Sequence, residues 1–150
     1  TLYCELLEDG ADLVVTRPFS SKRLIAHIRA MLRRSGSIPL LSLPKLEVSG
    51  LALDPTDRTV QVGTHSGNRL THLEFRLLYT LMTHRGQVLP AEVIVERVWG
   101  YSGRGDKELV RGLVSRLRSK VEPEPRSPCY IRTVPGVGYC FDPDEIESSP

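Results

Sequence analysis

Residues 106–141 read DKELVRGLVSRLRSKVEPEPRSPCYIRTVPGVGYCF and contain a helical pattern followed by two short β-type runs. The apolar positions of the helical pattern recur every three or four residues, at Val110, Val114, Leu117 and Val121. This spacing predicts a helix over residues 106–121 that buries those four side chains and stops at Pro123. Residues 130–134 and 139–141 are predicted strands joined by a PGVG turn. The segment therefore predicts one helix followed by a β-hairpin.

Two further helices are predicted directly upstream of this segment. The sequence THLE at residues 71–74 is a capping box, and it opens a helix that should end by Gly86. The apolar face of this helix consists of Phe75, Leu78 and Met82. Pro90 stands at the first turn of the next helix, which Trp99 and Gly100 end. The three helices follow one another with short connections.

Short β-type runs precede the helices, at residues 46–53 and 59–62, with a DPTD turn between them. A small sheet, three helices and a hairpin, in that order, form the winged helix-turn-helix fold. This fold places one helix in a DNA major groove and the hairpin, or wing, beside it. The predicted fold class is therefore α+β, with a winged helix-turn-helix domain over residues 45–143.

Residues 1–36 predict a separate, partial α/β unit. An apolar run at residues 11–15 predicts a strand, and residues 20–34 predict a helix. The apolar stripe of that helix consists of Leu24, Ile25, Ile28, Met31 and Leu32. A piece of this size is too short to bury a core of its own. Residues 37–44 hold no charged side chain and suit a linker.

Charge is distributed unevenly along the chain, although the net charge is only +2. Between Arg104 and Lys120 six cations stand against two acids, whereas residues 144–150 form an acidic tail. A basic segment on a balanced chain indicates a nucleic-acid partner, and an ordinary solvated helix is the competing interpretation. Arg116 points most directly away from the apolar stripe, where it can pair with guanine O6 and N7. Gly112 shares that face, and either close approach of a phosphate backbone or tolerated drift explains it.

The spacing of chemical groups favours neither an enzyme nor a metal site. The four histidines lie on separate predicted elements, and the sequence holds no Walker loop, nucleophile elbow or paired catalytic carboxylate. Three scattered cysteines are typical of reduced thiols. No window approaches about 20 apolar residues and no signal-peptide pattern opens the sequence, so a cytoplasmic location is expected.

Four motifs of the chain are shared with a known family. They read LTHLEFRLL (70–78), ERVWGY (96–101), LVSRLRSKVEPEP (113–125) and YIRTVPGVGY (130–139). On these motifs the chain resembles the winged-helix DNA-binding domain of the OmpR/PhoB response regulators. Residues 1–36 resemble the C-terminal part of that family's receiver domain. There GADLVVTRPFS matches the segment around the receiver's switch dipeptide.

The resemblance implies a sequence-specific transcriptional regulator of a two-component phosphorelay system that binds double-stranded DNA. The helix at residues 106–121 would enter the major groove, with the wing at residues 129–142 alongside. The implied DNA-binding residues are Trp99, Arg111, Ser115, Arg116, Arg118, Lys120, Arg132, Thr133 and Tyr139. The receiver switch position corresponds to Thr16, Arg17 and Pro18, where Arg17 replaces the family's lysine.

Partners are implied by the same resemblance. They are RNA polymerase through the loop at residues 99–106, a second copy of the chain through the receiver part, and a histidine kinase where a complete receiver lies upstream. The Mg²⁺ and phosphoryl site of a receiver would precede residue 1, so no cofactor is expected here. Pro135 stands where many relatives carry a wing arginine, so the resemblance implies that this contact is either missing or moved to Arg132. Arg111 replaces a residue that is often acidic, so the DNA sequence read should differ from a typical member's.

A different class of function also fits the sequence. A winged helix can serve as a protein-contact module, with the degenerate receiver as a docking surface. RNA binding is less favoured, because the wing lacks the aromatic platform on which unpaired bases stack.

Overall fold

The structure is a computed structural model that describes residues 2–11, 13–35, 43–100 and 106–143, without the side chains of residues 32–35. Within these ranges the chain forms five helices and seven strands. The predicted linker at residues 37–44 lies outside them apart from its last two residues, and the predicted acidic tail lies outside them entirely.

The first sheet consists of four antiparallel strands in the order β1-β2-β3-β4. They are β1 (Leu46–Val48), β2 (Leu51–Asp54), β3 (Thr59–Val62) and β4 (Asn68–Arg69). The prediction of one β-type run over residues 46–53 was wrong, because this run contains two strands. Ser49 and Gly50 both adopt positive φ, 49° and 81°, which is the geometry of a tight hairpin turn. Leu51 and Leu53 alternate onto the buried face.

Three helices follow the sheet: α3 (His72–Thr83), α4 (Ala91–Val98) and α5 (Lys107–Val121). Helices α3 and α5 contact the sheet, and α4 packs against both of these helices. The predicted capping box is confirmed, since the N–H of Glu74 donates to Oγ1 of Thr71 and the N–H of Thr71 donates to Oε2 of Glu74. The predicted apolar face of α3 is buried, at Phe75, Leu78 and Met82. The helix ends at Thr83, three residues before Gly86.

The apolar stripe of α5 is also confirmed, since Val110, Val114, Leu117 and Val121 are at most 1% exposed. Leu113 is equally buried and widens the stripe by one position. These side chains belong to one hydrophobic core shared by the first sheet, α3, α4 and the wing. The burial of this stripe orients α5 and leaves its opposite face for other contacts.

The wing is the hairpin of β6 (Ile131–Val134) and β7 (Gly138–Phe141). A two-residue strand, β5 (Leu89–Pro90), pairs with β7 and gives a second sheet in the order β5-β7-β6. No local pattern in the sequence predicted β5, whose hydrogen-bonding partner is β7. With this sheet in place, the architecture is the predicted α+β winged helix-turn-helix.

The N-terminal region contains α1 (Leu2–Glu8) and α2 (Ser21–Ser35). The strand predicted at residues 11–15 was wrong, because its described residues, 11 and 13–15, are not in a strand. A strand needs a neighbour for its backbone hydrogen bonds, and no described residue pairs with this run.

The stripe predicted for α2 is corrected at two positions, while Leu24 and Met31 are half-buried and the side chain of Leu32 lies outside the described part of the chain. Ile25 and Ile28 are each 47% exposed, whereas His27 and Ala30 are buried. Met31 packs against the core of the winged domain, so α2 turns the His27 and Ala30 side inward. Among the described residues, no helix is both long and apolar enough to cross a membrane.

Candidate nucleic-acid interface

The exposed part of α5 begins with its N-terminal cations. Lys107 and Ser115 are exposed, and the Arg111 side chain is 76% exposed, with its Nη1 3.9 Å from Oε1 of Glu108. An exposed pair at this distance holds its partners weakly, so Arg111 is available to another ligand. Lys107 was counted in the basic stretch but was not predicted as a site residue. Lys107 lies in the first turn of α5 and faces the wing. The sequence pattern alone did not indicate this position.

Arg116, predicted to point outward, is covered by α1. Its Nη1 donates to the main-chain carbonyl of Leu7, near the end of α1. Its Nε is buried and has no hydrogen-bond partner among the described residues. Tyr3 of α1 lies near Arg116 and Asp106. Burial and the Asp106 carboxylate raise the pKa of Tyr3, while Arg116 lowers it. Helix α1 therefore lies on the face of α5 predicted to meet DNA.

A second contact anchors the N-terminal region on α5. Nη2 of Arg23, in α2, lies 3.5 Å from Oδ1 of Asp106, the residue that precedes α5. Burial and the nearby Arg23 charge lower the pKa of His27, the buried histidine of α2. A cavity of about 330 Å³ remains between α2, the residues before it and the start of α5, and Thr16 and Pro18 line it. Arg17, the third residue of the predicted switch position, is exposed.

Arg118 joins α5 to the wing. Its Nε and Nη2 donate to the carbonyl of Ile131 at 3.1 and 2.7 Å, and Nη2 also donates to Oγ1 of Thr133 at 2.8 Å. Its guanidinium carbon lies 5.9 Å from the centre of the Tyr139 ring. Burial lowers the pKa of Arg118. Three of the predicted DNA-binding residues, Arg118, Thr133 and Tyr139, are therefore brought together.

Glu122 makes a second link between α5 and the wing. Its carboxylate is 6% exposed and accepts hydrogen bonds from the backbone N–H groups of Cys129, Tyr130 and Ile131, at 2.7 to 3.2 Å. A buried carboxylate needs several donors to compensate for lost hydration, and these three groups supply them. Glu122 is not among the functional residues predicted from the sequence.

Lys120 is engaged inside the domain. Its Nζ lies 2.6 Å from Oε2 of Glu74 and 3.2 Å from the carbonyl of Arg69. The same Glu74 closes the capping box of α3, so Lys120 ties the end of α5 to the start of α3. A role of Lys120 toward DNA remains a prediction.

The remaining predicted residues occupy the core and the wing. Trp99 is 2% exposed and belongs to the core, whereas Thr133 is exposed and Arg132 is half-buried. A cleft of about 200 Å³ separates the wing from the starts of α4 and α5, and Glu92, Lys107 and Tyr139 are among the residues that line it. The predicted polymerase loop at residues 99–106 lies mostly outside the described part of the chain.

Gly112 lies on the same side of α5 in open space. A Cβ added there would meet no atom within 4 Å. Packing within the domain therefore does not require glycine, and both interpretations of Gly112 remain open.

Cys129 provides a test of the Glu122 cluster, which consists of the Glu122 carboxylate and the backbone N–H groups of Cys129, Tyr130 and Ile131 that donate to it. Burial and the Glu122 carboxylate raise its pKa to about 11. At pH 8 only about a thousandth of its thiol is ionised, against about a quarter for an ordinary cysteine. We expect iodoacetamide to modify the exposed Cys4 well before Cys129, with the Cys129 rate still rising between pH 9 and 10. Peptide mass spectrometry measures both rates, and equal rates at pH 8 would contradict the cluster.

A basic helix with a β-hairpin wing attached to it is the arrangement of winged helix-turn-helix domains, and this chain has that arrangement. The described residues hold no group of three or more His, Cys, Asp or Glu side chains that could bind a metal ion. The family model described as "Transcriptional regulatory protein, C terminal" matches residues 65–141. The chain belongs to this family, the OmpR/PhoB-type transcriptional regulatory proteins.

Curated relatives share sequence across most of the chain. It is 39% identical over 137 residues to the DNA-binding dual master transcriptional regulator RpaA of a Synechocystis species, covering 90% of this chain and 56% of RpaA. It is 41% identical over 139 residues to the DNA-binding response regulator MtrA of Mycobacterium tuberculosis, covering 91% and 58%. The chain thus spans a little over half the length of these relatives.

Solved structures agree with the fold. The DNA-binding domain of RstA from Klebsiella pneumoniae, in complex with the RstA box, superposes with a TM-score of 0.61 at 30% identity over 67% of this chain and 99% of that one. The Thermotoga maritima response regulator DrrB, an OmpR/PhoB homologue, superposes with a TM-score of 0.58 at 29% identity over 94% of this chain and 61% of that one.

Proposed function

We propose that the chain is a sequence-specific, double-stranded DNA-binding transcriptional regulator of a two-component system. The observation that carries this proposal is that the cationic helix α5 and the wing form one connected surface. The similar RstA domain was solved with its DNA box. DNA binding needs no cofactor and no catalytic group, and it takes place in the cytoplasm, where a bacterial chromosome lies.

The residues of this surface would have two roles, positioning the protein on DNA and reading the DNA sequence. Lys107, Arg111 and Ser115 are exposed on α5 and would bind phosphates, which position a protein on DNA without reading its sequence. Arg116 would read a guanine, because its guanidinium can donate two parallel hydrogen bonds to O6 and N7. The wing would contact the adjacent groove through Arg132 and Thr133.

This mechanism requires the N-terminal region to move. The Leu7 carbonyl holds Arg116, and a major groove about 12 Å wide has no room for α1 beside α5. The chain as described is therefore a closed form, and binding selects an open form in which α1 has left α5.

We also propose the division of the chain. Residues 1–36 are the C-terminal part of a receiver domain, 37–44 a linker, 45–143 the DNA-binding domain and 144–150 an acidic tail. By family resemblance, the further partners are RNA polymerase through the loop at residues 99–106 and a second copy of the chain through the receiver part. A histidine kinase is a partner only of a complete receiver.

A salt titration of duplex binding tests the proposed function. Each phosphate neutralised should lower the logarithm of the affinity by about 0.9 per tenfold rise in salt, so several contacts give a steep slope. The alternative, a protein-contact module, is favoured by the exposed apolar side chains of Phe19, Ile25 and Ile28. A flat slope, or no binding to any duplex, would support that alternative.

Replacing Arg116 with alanine should weaken binding to the preferred duplex by about 1–3 kcal/mol and relax the preference at one base pair. The measurement compares preferred and scrambled duplexes by fluorescence anisotropy. Arg126→Ala, an exposed cation in the turn before the wing, serves as the control and should keep the parent's discrimination. If Arg116→Ala also keeps it, Arg116 does not read a base.

Replacing Arg23 with alanine should strengthen DNA binding, because the Arg23–Asp106 pair favours the closed form. The Arg23 side chain is 64% exposed, and a pair of this kind contributes at most about 1 kcal/mol. The dissociation constant should therefore fall about two- to fivefold. Lys22→Ala removes a neighbouring exposed cation of α2 and should bring no gain. Weaker binding by Arg23→Ala would show that the pair does not hold the closed form.

A further inference from the structure

At Ile131 the outer edge of the wing meets side chains from the end of α5 and not another strand. Strand β6 is the edge of the β5-β7-β6 sheet. The N–H of Ile131 donates to Oε1 of Glu122 at 2.7 Å, and its carbonyl accepts from Arg118 at 2.7 and 3.1 Å. Arg118 and Glu122 stand four residues apart and so share one face of the helix region. Two side chains thus supply the acceptor and the donors that a neighbouring strand would supply.

Arg118 reaches beyond this edge to both strands of the wing. Besides the Ile131 carbonyl it binds the hydroxyl of Thr133, on β6, and it lies over the ring of Tyr139, on β7. One planar guanidinium makes all these contacts, with its donors at fixed angles. The side chain is half-buried, in contrast to the exposed Arg111 on the same helix.

We propose that Arg118 is a positioning residue that fixes the wing at a set angle to α5, so that helix and wing meet a duplex as one unit. Its hydrogen bonds go to the wing, whereas the family resemblance implies only that it is one of the DNA-binding residues. The inference rests on the proposed function, because the orientation of the wing matters for binding only if a duplex is the partner.

The variant Arg118→Lys distinguishes positioning of the wing from binding of a phosphate. Lysine binds phosphate as a point charge but lacks the planar fork that reaches Ile131 and Thr133 together. For a positioning residue we expect the variant to bind the parent's preferred duplex roughly tenfold or more weakly, since charge-assisted hydrogen bonds are lost. Hydroxyl-radical footprinting should lose the wing-side protection and keep the protection along the major groove. In the free protein, amide exchange of β6 should speed up.

Arg111→Lys is the matched control for the wing, and its β6 exchange should equal that of the parent. If Arg118→Lys binds within about twofold of the parent with the wing-side protection intact, Arg118 acts as a charge and the inference is wrong. Unchanged β6 exchange in Arg118→Lys would also overturn it. If the parent chain binds no duplex, the proposed function fails, and β6 exchange alone then decides whether Arg118 holds the wing.

Discussion

Glu122→Ala is expected to lower the free energy of unfolding by about 3 kcal/mol or more. Its carboxylate accepts hydrogen bonds from three backbone N–H groups at the start of the wing. Each buried donor left without an acceptor costs about 1–3 kcal/mol. For a domain of this size the loss corresponds to a fall in Tm of about 10 °C or more. Thermal and urea unfolding, followed by circular dichroism, measure it.

Two variants serve as controls for this prediction. Glu122→Gln keeps an acceptor oxygen of the same shape and should lose less than half as much stability. Glu124→Ala removes an exposed carboxylate two residues away and should change the stability by less than about 0.5 kcal/mol. If Glu122→Ala unfolds like Glu124→Ala, the carboxylate does not hold the wing.

Gly138→Ala should be the most damaging change in the wing itself, at about 2–3 kcal/mol. A Cβ at this position would overlap the main-chain carbonyl of Leu89, in the paired strand β5. That neighbour is backbone, so the overlap is relieved only by separating β5 from β7, and overpacking of this kind costs about 1–3 kcal/mol.

Unfolding and amide exchange at Leu89 and Tyr139 measure the effect. Gly112→Ala is the matched control, because its Cβ points into open space and alanine favours a helix by up to about 1 kcal/mol. Gly112→Ala should therefore stabilise the protein. A Gly138→Ala variant as stable as the parent would show that β5 and β7 do not pack this closely.

The features of the fold that depend on local periodicity were predicted from the sequence. The apolar stripe of α5 and the capping box at Thr71 and Glu74 depend on residues three to eleven positions apart, and both are confirmed. Strand β5 was missed, since two residues carry no pattern and its pairing comes from β7, about 50 residues later.

The hydrogen-bond partners of the cations on α5 could not be predicted either, because they too are distant in sequence. Periodicity placed Arg116 on the outward face of α5, and the family resemblance implied that Lys120 binds DNA. Their partners, Leu7 and Glu74, lie 109 and 46 residues away in sequence. Only tertiary structure shows that these two cations and Arg118 are engaged within the chain, while Arg111 is exposed.

Helix α5 and the wing are proposed to read the sequence of a duplex. The decisive measurement is selection of bound duplexes from a random pool, with the full chain and with Arg116→Ala in parallel. We expect one enriched sequence for the parent chain, with a guanine whose enrichment disappears in the variant. Recovery of no enriched sequence by the parent chain would contradict the proposal.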